Sequence, residues 1–459
     1  MISYQPDGNF LQIIPLEYVS VSEQGTKIRI IAYGETEELS FLQDFGGSFS
    51  EAGEISGDII LVGAKTPEFN WDDYGDIDPA GKVVVFLQPE QESGGRGGMM
   101  AMRRGRGDPA VTGARELGAV TVITVVSPDR EQQAVETGEL FRNTERLVWP
   151  ATTARTRTAP PQQTDAAPFI EAEIRHNAAA VLLGITQERL NDMFEFISSG
   201  NKLTPSERVG RRLELTVEMA TREDHTQNVV AVLEGTDPVL KNEYVLFGSH
   251  YDHTGARGDQ INNGADDDGS GTVAMLEIAQ AFSVERPKRS VVMVWHTGEE
   301  KGLRGARYYV ENSHIPLESI SAQLQMDMIS RNEPDSICVI GTHFLSSDLD
   351  KIIIDTANKI DLIILSNRFN YDREKYPERG NNYFTQSDHQ AYHQVGIPTT
   401  FFFSDVHEDL HRPTDTVEKC DMDKMERVTK LVYAVGFNVG NYNRLMILDN
   451  NPEVTKRGK

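Results

Sequence analysis

Cysteine is nearly absent: the 459 residues contain two, Cys338 and Cys420. Two thiols make neither a disulfide framework nor a cysteine-ligated zinc site, and a single bridge between them stays open as an alternative. Long apolar runs are missing as well. No stretch reaches the roughly 20 apolar residues that a membrane-spanning helix needs, so no membrane span is expected. Positive charge is scarce, with 45 Lys and Arg against 70 Asp and Glu and a formal net charge of −25. That sign repels nucleic acid and anionic lipid, and neither is expected as a partner. The one basic cluster, at 103–106 within GGRGGMMAMRRGRGD, lacks interleaved aromatics and reads as a solvated, glycine-rich loop. The first residues, MISYQPDGNFLQII, have neither the basic n-region nor the apolar h-region of a secretory signal.

What is present is an ordinary globular balance, 39% hydrophobic and 25% charged, over a length that suits two or three domains. Strand-like runs such as FLQIIPLEYVSV and TKIRIIAYG fill the first forty residues. Between 42 and 207, strand candidates (DIILVGA, KVVVFLQ, VTVITVV, AAVLLGI) are separated by long Gly-, Pro- and Thr-rich connections. This texture predicts a β-rich domain inserted into a larger one. From 228 onward strands and helices alternate: YVLFGSH, SVVMVWHTG, AQLQMDMIS and IPTTFFFS as strands, SGTVAMLEIAQAFS and GLRGARYYVENS as helices. The alternation predicts an α/β fold with a mixed, mostly parallel sheet flanked by helices. Residues 1–41 and 208–445 are expected to form this discontinuous main domain, 42–207 the insert and 446–459 a tail.

Metal-competent residues fall where the predicted strands end, the edge at which open α/β sheets gather functional groups. YVLFGSH ends in His250, with Asp252 two residues on as a carboxylate able to fix the far ring nitrogen of a ligating imidazole. By itself, His250 reads equally well as a satisfied histidine at a strand end. Asp266, Asp267 and Asp268 form a glycine-flanked carboxylate run ahead of a helix, where divalent ions would relieve their repulsion; a solvated helix cap is the alternative. Glu299 and Glu300 follow Gly298. Neighbours in a continuing strand point to opposite faces, so both reach one site only if the glycine breaks the strand. Metal-assisted hydrolysis uses two such carboxylates, one as ligand and one to take a proton from water. Asp327 sits among apolar residues and needs a cation or hydrogen bonds. His407-Glu408-Asp409-Leu410-His411 matches the H-E-x-x-H pattern formally, but Pro413 follows and no amphipathic flank precedes it. His411 is therefore read as a single ligand on a loop, with Asp415 behind it.

With these residues in hand, the chain resembles the bacterial di-zinc aminopeptidases related to those of Vibrio and Streptomyces, whose wider family includes glutamate carboxypeptidases and the transferrin receptor. The stretches that carry the likeness are GSHYDHTG, NGADDDGSGTVAMLE, TGEEKGLRGARYYV, QMDM, QSDHQAYHQVGIPTTFFF and LHRPTDTVEK, in the family's order over roughly 228–441. The resemblance implies two Zn²⁺ per chain, one held by His250 and Asp327, the other by Glu300 and His411, with Asp267 bridging and a cis peptide to Asp268. It implies that Glu299 is the general base, that Asp252 orients His250, and that a bridging hydroxide attacks peptides with a free N-terminus. The donor set suits zinc and also cobalt or manganese.

The segment 42–207 resembles a protease-associated domain, and the family likeness implies a secreted or periplasmic protein, with the cytoplasm as the alternative that the missing signal leaves open; a monomer is favoured. Relatives carry a helical segment ahead of the point where this sequence starts. Several of them also place Arg before Ser-Asp-His and Tyr before the final His, where this chain has Gln386 and Leu410. Tyr371, Tyr383 and His389 are therefore the candidates for steadying the oxyanion. Two rival readings stand beside the aminopeptidase. One is a co-catalytic carboxypeptidase or deacylase, using Arg304, Arg307, Arg379 or Arg412 for a substrate carboxylate; the other is a non-catalytic receptor-like module.

Overall fold

The computed structural model describes residues 2–3, 8–65, 74–89, 108–137, 140–150, 169–365 and 383–449. The basic cluster at 103–106, Tyr371 and Arg379 lie outside the described residues. The chain forms two compact units. One gathers Met1–Leu16, Trp149–Pro160 and Asp224–Lys459; the other gathers Glu17–Val148 and Pro161–Glu223. No disulfide joins Cys338 and Cys420. No described helix is long and apolar enough to cross a membrane.

In the first unit, six strands of a ten-stranded mixed sheet position the site: β1 (Met219–Leu233, paired through its second half), β2 (Tyr244–His250), β3 (Ser290–His296), β4 (Ile320–Met326), β5 (Ser336–Ile340) and β6 (Thr399–Phe403). Their spatial order is β5-β6-β4-β2-β3-β1. β2 runs parallel to β3 and β4, and β4 parallel to β6; β1 pairs with β3 and β5 with β6 antiparallel. β3 and β4 are buried along their whole length. That is expected of central parallel strands covered on both faces, and it explains the nearly continuous apolar run of β3, while β4 buries Ser321, Gln323 and Gln325 between its apolar residues.

Alternate residues of each strand enter two different cores. Phe247, Met293 and Leu324 pack with helices α1 (Gly271–Val284), α3 (Ser347–Ile360) and α5 (Met422–Asn441). Leu246, Val292 and Val294 pack on the opposite face with α2 (Arg304–Glu311) and α4 (His389–Gln394). The α5 helix approaches closely because Gly436 faces Phe247; a Cβ there would stand 2.1 Å from the ring.

The second unit carries its own eight-stranded sheet, whose centre is Gly53–Ala64, Lys82–Leu87, Thr121–Val125 and Ile170–Ile174 in parallel. The antiparallel strands Lys27–Ala32, Glu35–Ser40 and Ser206–Val217 extend it. Helices His176–Leu183 and Gln187–Ser198 contribute Leu182, Leu190 and Phe194 to its core.

Candidate metal centre

The parallel strands of the first unit deliver their C-terminal ends to one edge. β2 ends on His250, and β4 ends on Met326 with Asp327 next. β3 ends on His296, followed by Thr297, Gly298 and the Glu299–Glu300 pair. Gly298 turns the chain at φ 66°, and a Cβ there would lie 2.5 Å from the Trp149 ring. Only glycine takes that conformation in that space, and the break brings both glutamates to the same edge.

The three adjacent aspartates have three different environments. Residues 265–270 form an irregular turn ahead of α1, with Asp267 at φ −104° and ψ 90° and a cis Asp267–Asp268 peptide. Asp266 accepts the Ser330 N–H at 2.8 Å and the Ser330 hydroxyl at 2.7 Å, and its other oxygen is 3.3 Å from His407 Nε2. Asp268 accepts backbone N–H groups from His250, Gly271 and Met328 at 3.1, 2.9 and 3.3 Å, tying three segments together. Asp267 lies between imidazoles: Oδ1 is 3.3 Å from His250 Nε2 and Oδ2 is 3.2 Å from His411 Nε2.

Asp327 Oδ1 lies 3.5 Å from His250 Nε2, while its Oδ2 accepts the Ser387 hydroxyl at 2.7 Å. Glu300 Oε2 lies 3.3 Å from His411 Nε2. The donors expected from the sequence, His250, Asp267, Glu300, Asp327 and His411, therefore stand together. Residues 407–411 contain no helix, and the two histidines of the formal H-E-x-x-H match go to different carboxylates.

Asp252 is organised differently from its expected part. The His250 Nδ1 sits 2.9 Å from the Asp252 main-chain carbonyl, while the Asp252 carboxylate is 3.9 Å away. That carboxylate accepts the Glu299 N–H at 3.1 Å instead. The Asp415 carboxylate is taken up by the backbone N–H groups of Asp266 and Asp267 and by Arg331. His389 Nε2 lies 2.8 Å from the Phe384 carbonyl, so that ring edge is engaged away from the cleft carboxylates.

Sequence reasoning passed over His253. Its Nδ1 lies 3.0 Å from Glu300 Oε1 and 3.7 Å from Asp267 Oδ2. The signal was available in His250-Tyr251-Asp252-His253: a second imidazole three residues after the first, in a chain with 11 histidines.

Burial pushes the Glu299 carboxyl well above the usual carboxylate range, against the pull of His250. Asp327 and Asp268 are also raised by burial. Burial would raise Asp267 too, but His250 and His411 outweigh it and hold that carboxyl down. For His250, burial opposes charging, yet Asp327 and Asp267 raise its pKa well above normal; His411 is raised chiefly by Asp267.

Cations fit this arrangement on two counts. His250 Nε2, His253 Nδ1, Asp327 Oδ1 and Glu300 Oε1 are buried without a hydrogen-bond partner, although buried polar atoms are nearly always satisfied. In addition, zinc bonds of about 2.0–2.1 Å put neighbouring donors on one tetrahedral ion about 3.3 Å apart. The separations here bracket that value.

The molecule is thus an α/β protein with a candidate cation centre at the carboxyl ends of the parallel strands of a mixed sheet. Residues 228–436 match the sequence family described as Peptidase family M28. Over 240 residues the chain is 27% identical to a probable leucine aminopeptidase of Trichophyton verrucosum, covering 50% of this chain and 61% of that protein. Over 220 residues it is 30% identical to probable leucine aminopeptidase 2 of Aspergillus oryzae, covering 45% and 40%. The chain therefore spans about three fifths or less of the length of these relatives. Among solved structures, an aminopeptidase from Aneurinibacillus sp. strain AM-1 aligns at TM-score 0.44 and 17% identity, covering 96% of this chain and 86% of that one. BSAP, a zinc aminopeptidase from Bacillus subtilis, aligns at TM-score 0.42 and 16% identity, covering 95% and 88%.

Proposed function

We propose that this protein is a zinc-dependent aminopeptidase that removes N-terminal residues from peptides at a two-zinc centre. The observation that carries the reading is Asp267, whose two oxygens lie 3.3 and 3.2 Å from imidazoles on opposite sides. A carboxylate so placed would serve as a ligand to both ions. His250 and Asp327 would hold one ion, and Glu300 and His411 the other. The match of residues 228–436 to Peptidase family M28 supports the reaction class, and the names of the fungal relatives support the aminopeptidase.

Zinc at such a centre supplies Lewis acidity toward the scissile carbonyl and acidifies water to a pKa of about 7. The chain's own groups do the rest. Ser387 donates to one oxygen of Asp327 and leaves the other toward His250. The main-chain carbonyl of Asp252 sets the His250 ring. Glu299, with its carboxyl raised by burial, takes a proton from the attacking water and returns it to the departing amine. The proposal also takes 42–207 as a protease-associated-like insert and carries a location outside the cytoplasm.

Zinc content measured alongside hydrolysis of leucyl p-nitroanilide and its N-acetyl form tests the assignment. Two zinc ions per chain and cleavage of only the free-amine substrate are expected. Preferential cleavage of the N-acetylated compound would replace the aminopeptidase by a deacylase or carboxypeptidase, and absence of bound metal would overturn the reading altogether.

A further inference from the structure

We propose that His253 is a metal ligand, completing a nitrogen-rich position with His411, Glu300 and Asp267, so that the two cation positions differ in chemistry. The inference rests on the two-zinc reading above. One position then has a single imidazole, His250, with Asp327 and Asp267. The other has two imidazoles and two carboxylates.

Three observations carry it. The first is spacing. His253 Nδ1 is 3.0 Å from Glu300 Oε1 and 3.7 Å from Asp267 Oδ2, and His411 Nε2 is 3.3 and 3.2 Å from the same two carboxylates. These are the distances between donors that share one ion, about 3.3 Å at tetrahedral zinc. The second is the state of the ring. The His253 side chain is only 10% exposed, and neither of its nitrogens has a hydrogen-bond partner. An imidazole sealed in this way without a partner is rare unless something outside the protein binds it. Glu300 Oε1, its nearest oxygen, also lacks a hydrogen bond, so the short contact is not a donated N–H.

The third observation is a seat shaped for the ring. Gly264 sits at φ 64°, and a Cβ there would fall 2.6 Å from His253 Cγ. The loop between the two residues is tied by Asn262, whose N–H reaches the Gly255 carbonyl at 3.0 Å and whose side chain reaches Thr254 Oγ1 at 2.9 Å. The ring stands edge-on to His411, centroids 5.6 Å apart at 71°, as two imidazoles converging on a common point do.

The chemical consequence is unequal affinity. Extra imidazole favours zinc over manganese and magnesium, whereas the oxygen-rich position tolerates the harder ions. The protein is expected to load zinc first at the His253–His411 position and to accept manganese or cobalt at the other.

The test has two arms, neither reading activity. Zinc-edge X-ray absorption of the wild-type protein with two zincs bound should count three imidazoles over the two ions. A count of two overturns the proposal without any variant. Zinc titration against a chromophoric chelator is then compared for wild type, His253→Gln and His253→Ala. Both variants should keep one affinity unchanged and lose about 10–100-fold or more at the other. Two unchanged affinities in a folded variant also overturn the proposal. A wild-type protein that binds no zinc pair brings down the two-zinc reading itself and this inference with it, a result distinct from loss of the His253 contribution alone.

Discussion

The Asp415 carboxylate accepts the backbone N–H of Asp267 at 3.3 Å across 148 residues of chain. The same group accepts the Asp266 N–H at 3.1 Å and faces Arg331 Nη1 at 3.6 Å, and it is fully buried. It therefore pins the aspartate turn to the loop that carries His411. Asp415→Ala leaves the buried N–H groups of Asp266 and Asp267 without an acceptor, at about 1–3 kcal/mol for each, while Arg331 keeps Asp409 as its partner. Asp415→Asn retains one acceptor oxygen and should cost less. Thermal melting of the metal-free variants reads both, and equal stability of Asp415→Ala and wild type would remove Asp415 from this role.

That relationship also marks where sequence reading stops. The ends at His250 and Asp327 were legible because a ligand-type residue follows a strand-like run at the edge where open α/β sheets gather functional groups. The break at Gly298 was legible because two adjacent glutamates cannot otherwise share an edge. His411 on a loop was legible from Pro413. The placement of His253 depends on a loop that closes through Asn262 onto Gly264, and no periodicity encodes that closure. The use of the Asp252 carbonyl in place of its carboxylate is a matter of ångströms that residue type does not specify.

Ser387→Ala removes the hydroxyl that holds Asp327 Oδ2 at 2.7 Å and the acceptor for the Gln325 side chain at 3.3 Å. Groups that orient a ligating carboxylate are worth about 10–100-fold in metal affinity. Chelator competition should show that loss at the ion held by His250 and Asp327, with the other ion unaffected. A uniform loss at both would mean that the whole edge has shifted.

Burial holds His393 down to about 4 and His389 down to about 3. An unfolded histidine titrates near 6.5, so between those values the unfolded chain binds protons that the folded chain refuses. The stabilisation is complete above about pH 6.5 and is lost as pH falls toward 4, at about 1.4 kcal/mol per histidine for each pH unit crossed. His393→Leu should flatten the stability–pH slope of the metal-free protein across that window. A slope identical to wild type would show that His393 is not kept neutral.

Glu299→Gln keeps the size and the backbone N–H to Asp252 but removes the group that moves the proton. Turnover should fall about 10²–10⁴-fold, the usual worth of a positioned general base. Zinc content should stay at the wild-type level, since His250, Asp267, Glu300, Asp327 and His411 are untouched. Near-normal turnover with full zinc would move the proton transfer to another group.

Asp252 separates two ways of organising the edge. Its carbonyl lies 2.9 Å from His250 Nδ1, and its carboxylate accepts the Glu299 N–H at 3.1 Å while standing 3.9 Å from that ring nitrogen. If the carbonyl fixes the ring, Asp252→Ala leaves the ring's hydrogen bond intact, and zinc affinity stays within a few-fold of wild type. Glu299 loses the acceptor for its backbone N–H, so its carboxyl is no longer held at the water it must deprotonate. The expected signature is a fall in kcat with KM and zinc affinity nearly constant, because small misplacements at a reacting centre cost rate more than binding. Loss of zinc affinity by tenfold or more, measured by chelator competition, would instead make the carboxylate the group that orients His250, and the main-chain contact incidental.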